Sequence, residues 1–200
     1  MAGRKQFDVD VALGRAMHVF WEHGYDGASL DLLTTATGLG RGSLYGTFGG
    51  KDELFRKALD QYSGVYGPRY ESALAGHPGD PGAAVAAFFE VVLARIGDPG
   101  VPDGCLVVQS AAQSPNLSEP SAEHVRGIMG LQWSRIRAAL DRADVPGGEL
   151  DDLATYVLAV NQSLAVLSRA GTPMADLRTV ARIASETVTH RMRAAATGNG

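Results

Sequence analysis

The 200 residues, 45% hydrophobic and 20% charged, have the composition of an ordinary globular protein, and a net charge of −4 argues against a chain that coats nucleic acid wholesale. The single cysteine, Cys105, excludes an intrachain disulfide framework and a multi-cysteine metal site. No apolar run is long enough to span a membrane, and the opening MAGRKQFDVD turns acidic where a signal peptide would turn apolar, so a cytoplasmic protein with no membrane partner is expected.

In chain order, Val9, Leu13, Ala16, Met17, Phe20 and Trp21 recur mostly at spacings of three and four, one apolar stripe on a helix over about 7–23. Gly24 stands where such a helix ends. Ser29 suits the N-cap of a second, short helix with Leu30 and Leu33 facing inward, and Gly38 closes it. A third segment covers about 41–47. A fourth opens near Lys51, with Leu54, Phe55, Ala58, Leu59 and Tyr62 on its buried side. Gly64 and Gly67–Pro68 interrupt that pattern. Proline lacks a donor and clashes with the preceding turn, so a kink or break is expected there and the helix is bounded at about 51–64.

GHPGDPG (76–82) reads as a loop, followed by a helix striped with Val85, Phe88, Phe89, Val92 and Ile96, then a second loop, DPGVPDG (98–104). CLVVQSAAQ (105–113) is short and apolar; a strand is conceivable, but a buried helix better suits the rest of the chain. Helices over about 118–143, 149–170 and 174–195 complete a chain without repeats or strand alternation. The expected fold class is all-α, about nine helices, with an N-terminal three-helix unit (1–50) and a C-terminal helical bundle (51–200).

The stretch TGLGRGSLYGTFGGK (37–51) carries the chemistry. Two short helices joined by a turn containing Gly38 and Gly40 are the helix-turn-helix plan, whose second helix enters the DNA major groove. Leu44 and Phe48, four apart, would face the interior; Ser43 and Thr47, also four apart, would face outward, and Arg41 opens the helix. No acidic residue lies between Asp31 and Asp52, so this stretch is a local basic patch on an acidic chain.

The run Gly38-Leu39, Ser43-Leu44-Tyr45, Phe48 and Lys51 is similar to the signature of the TetR/AcrR family of transcriptional regulators. That resemblance implies that Arg41, Ser43 and Thr47 contact bases or phosphates, that Gly42 permits close backbone approach, and that the Tyr45 hydroxyl meets a phosphate. It also implies that Lys51 clamps the backbone at a helix N-terminus, and that Arg4 and Lys5 add a cationic arm. Arg41 is the best candidate for a guanine. Four positions depart from the pattern. Thr37 replaces an alanine, Gly40 and Gly50 leave two helices without side-chain caps, and Gly46 removes a side chain that often touches DNA. Gly46, Gly49 and Gly50 are therefore expected to leave the third helix loose until DNA orders it.

In that family the remaining helices bind an effector and dimerise. A pocket for an unknown small-molecule effector is expected near Tyr66, Phe89, Gln109, Trp133 and Asn161. The last two helices carry more apolar surface than one bundle needs, so a homodimer through 149–170 and 174–195 is expected. It would place two reading helices about 34 Å apart on a palindromic double-stranded operator. The expected function is a one-component regulator, a repressor released by its effector. The alternative is a helical ligand- or protein-binding module that has lost DNA binding. Cys105 reads as a small hydrophobe, with a redox role as its alternative. The five histidines lack metal-ligand spacing and GGKDE lacks the phosphate-loop form, so no metal, no cofactor and no enzyme activity is expected.

Overall fold

The structure, a computed structural model, describes residues 2–141 and 144–197, with side chains from residue 9 onward. Its helices are α1 (Ala2–Gly27), α2 (Leu30–Thr37), α3 (Arg41–Phe48), α4 (Lys51–Ala75), α5 (Pro81–Ile96), α6 (Leu106–Ala112), α7 (Glu119–Ala139), α8 (Gly147–Arg169) and α9 (Met174–Thr197). A short 3-10 turn, Ser114–Asn116, precedes α7, and no strand occurs among the described residues. The 105–113 stretch is therefore helical. Residues 142 and 143, expected at the end of the helix over 118–143, lie outside the described residues, as do the side chains of Arg4 and Lys5.

One expectation about a helix end is corrected. The linking helix does not stop near residue 64; α4 runs through Pro68 to Ala75. The physical reason is its apolar side: Tyr62, Tyr66, Tyr70 and Leu74 recur every four residues and are all buried, while Pro68 is exposed. Packing of that stripe outweighs the lost hydrogen bond. Gly24, by contrast, breaks the first helix where the sequence places its end. It takes a non-helical conformation (φ 71°, ψ 177°) from which one further turn reaches Gly27.

The chain packs as two compact units, residues 1–65 with 105–128, and residues 66–104 with 129–200. This division differs from the 1–50 and 51–200 segments expected from the sequence, because α6 and the first turns of α4 pack on α1, and the start of α7 bonds those turns of α4. Phe20, Trp21, Leu33, Leu44, Phe48, Leu54, Phe55 and Leu106 fill that first core. In the second unit α5 packs on α8 and α9, with Val85, Phe88, Phe89, Val92, Val157, Leu164, Ala184 and Val188 buried.

Candidate nucleic-acid interface

Each end of α2 is closed by a side chain or a glycine. The Ser29 hydroxyl accepts from the Leu32 N–H at 3.2 Å. Gly38 is left-handed (φ 71°, ψ 15°) and donates its N–H to Thr34 O at 3.0 Å. Thr37 is an asset here: its buried hydroxyl donates to Leu33 O at 2.7 Å and accepts from the Leu39 N–H at 3.3 Å, which carries the chain into the turn. α3 starts at Gly40 with no side-chain cap. Leu44 and Phe48 are fully buried and brace α3 from behind, while Arg41, Gly42, Ser43, Tyr45, Gly46 and Thr47 are exposed, Tyr45 to 44%.

The glycines of this stretch divide into two kinds. Gly49 (φ 86°) and Gly50 (φ 137°) hold the left-handed turn that ends α3 and admits α4, and the Gly49 N–H donates to Tyr45 O at 2.8 Å. They serve backbone geometry, which corrects the expectation that they loosen the helix. Gly42 and Gly46 are helical, and a Cβ at either would meet nothing within 4 Å. Only these two lower helix propensity without a steric return.

Arg41 and Lys51 occupy different surroundings. The Arg41 guanidinium bonds Asp31 Oδ1 at 2.7 Å, with both side chains largely exposed, and that hydrogen bond raises its pKa further above the ordinary range. Lys51, at the start of α4, sits with Nζ 4.6 Å from the Tyr25 ring centroid. Partial burial pushes its ammonium below the ordinary lysine value, against the opposing pull of Asp26.

Tyr25 is itself fixed from a distance. Its N–H donates to Gln113 Oε1 at 2.8 Å, and its ring packs edge-on against Phe55 at 4.9 Å. A Cβ on Gly24 would stand 2.6 Å from the Gln113 amide and displace it, and the positive φ of 71° disfavours a side chain there in any case. Beside it, Asp52 accepts from Ser118 Oγ at 2.9 Å and Ser121 Oγ at 2.8 Å, and pairs with Arg56. Burial raises the Asp52 carboxyl, but those hydroxyls and the Arg56 charge outweigh it and hold it below the usual carboxylate value. Sequence reasoning missed this brace. The partner of Gln113 lies 88 residues away.

The five expected effector residues do not share one cavity among those described. Tyr66 lines a cleft of the second unit with Arg69 and Arg95, and Phe89 lines another between α5 and α9. Asn161 is buried in α8, and Trp133 Nε1 donates to Thr155 Oγ1 at 3.1 Å. Gln109 belongs to the first unit, the other four to the second. Half-buried Cys105 receives a hydrogen bond from the Tyr62 hydroxyl, O to Sγ 3.2 Å. Among the described residues no group of three or more His, Cys, Asp or Glu could hold a metal, and no helix is long and apolar enough to cross a membrane.

An exposed short helix, braced by two buried side chains and entered through a glycine turn, defines the helix-turn-helix class of transcriptional regulators. Residues 12–58 match the family model for bacterial regulatory proteins, tetR family. The chain is 28% identical over 182 residues to the HTH-type transcriptional repressor ComR of Escherichia coli, covering 88% of this chain and 87% of that one. It is 33% identical, with a TM-score of 0.81, to a cysteine mutant of the TetR family transcriptional regulator CifR complexed with 26 bp double-strand operator DNA; the match covers 88% of this chain and 94% of that one. A TetR regulator from Chloroflexus aurantiacus shares the fold at a TM-score of 0.80 and 23% identity, over 93% of this chain and 96% of that one. The chain belongs to the tetR family and is a transcriptional regulator of that family.

Proposed function

We propose that this regulator is a one-component repressor that binds a palindromic operator as a homodimer and releases it when a small molecule binds its second unit. The exposure of Arg41, Gly42, Ser43, Tyr45 and Thr47 over a buried Leu44 and Phe48 is the observation that carries this reading. That face can enter a major groove without rearranging the core. Lys51 at the α4 N-terminus adds a cation and free amides suited to a phosphate. Support for the operator comes from the CifR complex, whose DNA is bound by a relative with the same fold; support for repression comes from the repressor ComR.

Dimerisation is favoured by apolar side chains that α8 and α9 leave in water: Tyr156, Val166 at 58% exposure and Ile183 at 49%. In this reading the first fifty residues, with Lys51 at the start of α4, serve DNA, and the second unit serves effector and dimer. A gel shift against DNA flanking the protein's own gene tests the reading. Binding that falls steeply with salt supports it; a dimer that binds no DNA at low salt returns the alternative, a helical module without a nucleic-acid partner.

A further inference from the structure

The stretch from Arg41 to Lys57 carries four cations, and three of them are paired with carboxylates. Arg41 bonds Asp31 at 2.7 Å, Arg56 pairs with Asp52, and Lys57 bonds Glu53 at 2.9 Å. Lys51 has no ion-pair partner among the described residues; its Nζ lies instead 4.6 Å from the Tyr25 ring centroid. That ring is held in place by the first core. The ring centroids of Phe20 and Phe55 stand 6.4 Å and 4.9 Å from its own, and the Tyr25 N–H donates to Gln113 Oε1 at 2.8 Å. At the next residue Asn116 Nδ2 donates to Asp26 Oδ2 at 2.7 Å, so a second bond from the same turn fixes the same junction.

We infer that Tyr25 is a positioning residue for DNA binding: its ring holds the Lys51 ammonium at the start of α4, ready for a phosphate. A carboxylate in that place would neutralise the lysine and would have to be displaced by DNA. The face of an aromatic ring attracts the cation through its quadrupole and brings no net charge, so the whole charge stays available to the phosphate. Holding a long, flexible side chain before DNA arrives also reduces the freedom lost on binding. An aliphatic side chain at position 25 could fill the same core space but could not hold the ammonium. The role in DNA binding rests on the reading of Lys51 as a phosphate contact; the contact between ring and lysine does not.

The chain has three lysines, Lys5, Lys51 and Lys57, so NMR of the full chain with isotopically labelled lysine distinguishes their ε-methylene signals. In the unsubstituted protein the Lys51 signal is expected upfield of that of Lys57, shifted by the ring current of Tyr25, and in Tyr25→Leu it should move to the Lys57 position. A Lys51 signal already at that position in the unsubstituted protein overturns the placement, with no variant needed. Fluorescence anisotropy on a duplex from the region flanking the protein's own gene tests the consequence. Tyr25→Leu should weaken binding about threefold to tenfold, and Tyr25→Phe, which keeps the ring, should recover most of that loss. In a Lys51→Ala background the same Tyr25→Leu change should have less than about a twofold effect, because no ammonium is left to hold. An equal loss in both backgrounds would mean damage to the fold alone and overturns the role, as does Tyr25→Phe binding as weakly as Tyr25→Leu. A protein that shows the shifted lysine but binds no duplex at low salt counts against the regulator reading, and the role in DNA binding falls with it.

Discussion

Arg41 is already paired, and the strength of that pair sets what it can do. An exposed ion pair contributes about 0–1 kcal/mol, so the guanidinium can exchange Asp31 for a base edge or a phosphate. Arg41→Gln is expected to weaken operator binding by about 1–3 kcal/mol, measured by fluorescence anisotropy on operator and on scrambled duplex. Asp31→Asn is expected to strengthen binding to both duplexes, because it removes a competing anion. Lys51 adds a pH dependence. Burial disfavours its charge and a phosphate would favour it, so DNA affinity should decline as pH rises through the lowered Lys51 value. In Lys51→Arg that decline should move to higher pH, and an unchanged profile would remove Lys51 from the interface. Asp52 works on stability with the opposite sign. Its folded-state value is depressed, so its contribution is present above the unfolded carboxyl value and lost as pH falls through the folded one. Asp52→Asn should cost about 1–2 kcal/mol at neutral pH and flatten the acid limb of unfolding.

Among the elements, α1 and α3 use glycine for opposite reasons. At Gly24 the backbone is left-handed and a Cβ would displace the Gln113 amide. Gly24→Ala should therefore destabilise the first unit by about 1–3 kcal/mol, seen as a lower Tm. Gly46 is helical and faces open space. Gly46→Ala should stabilise by about 1 kcal/mol and raise amide-exchange protection over 42–50. Strong protection there before substitution would mean that α3 is already rigid without DNA. α4 passes from the first unit into the second as one helix, with Gly64 near the transition and nothing within 4 Å of a Cβ built there. If this helix couples effector to DNA, Gly64→Ala stiffens it and changes inducibility more than DNA affinity without effector.

For the whole molecule, the prediction concerns assembly. Light scattering after gel filtration should give twice the 21.0 kDa chain mass. Val166→Glu with Ile183→Glu should give the single-chain mass, because a charge pair buried isologously is repeated on both subunits. A monomer in the unsubstituted protein would remove the two-half-site operator.

The sequence by itself determined the helical class, the turn at Gly38 and the outward and inward faces of α3. These follow from spacings of three and four and from local caps, interactions that close within a few residues. Helix ends under competing signals were not legible: Pro68 argues for a break, and only the buried Tyr66, Tyr70 and Leu74 show that packing prevails. Only the tertiary structure decided that Gln113 holds Tyr25 beneath Lys51, that Ser118 and Ser121 secure Asp52, and that Tyr66 and Phe89 line separate clefts. The reason is range. A cap or a stripe is written in neighbouring residues, whereas a brace across 88 residues leaves no local pattern and exists only once the core has brought its two ends together.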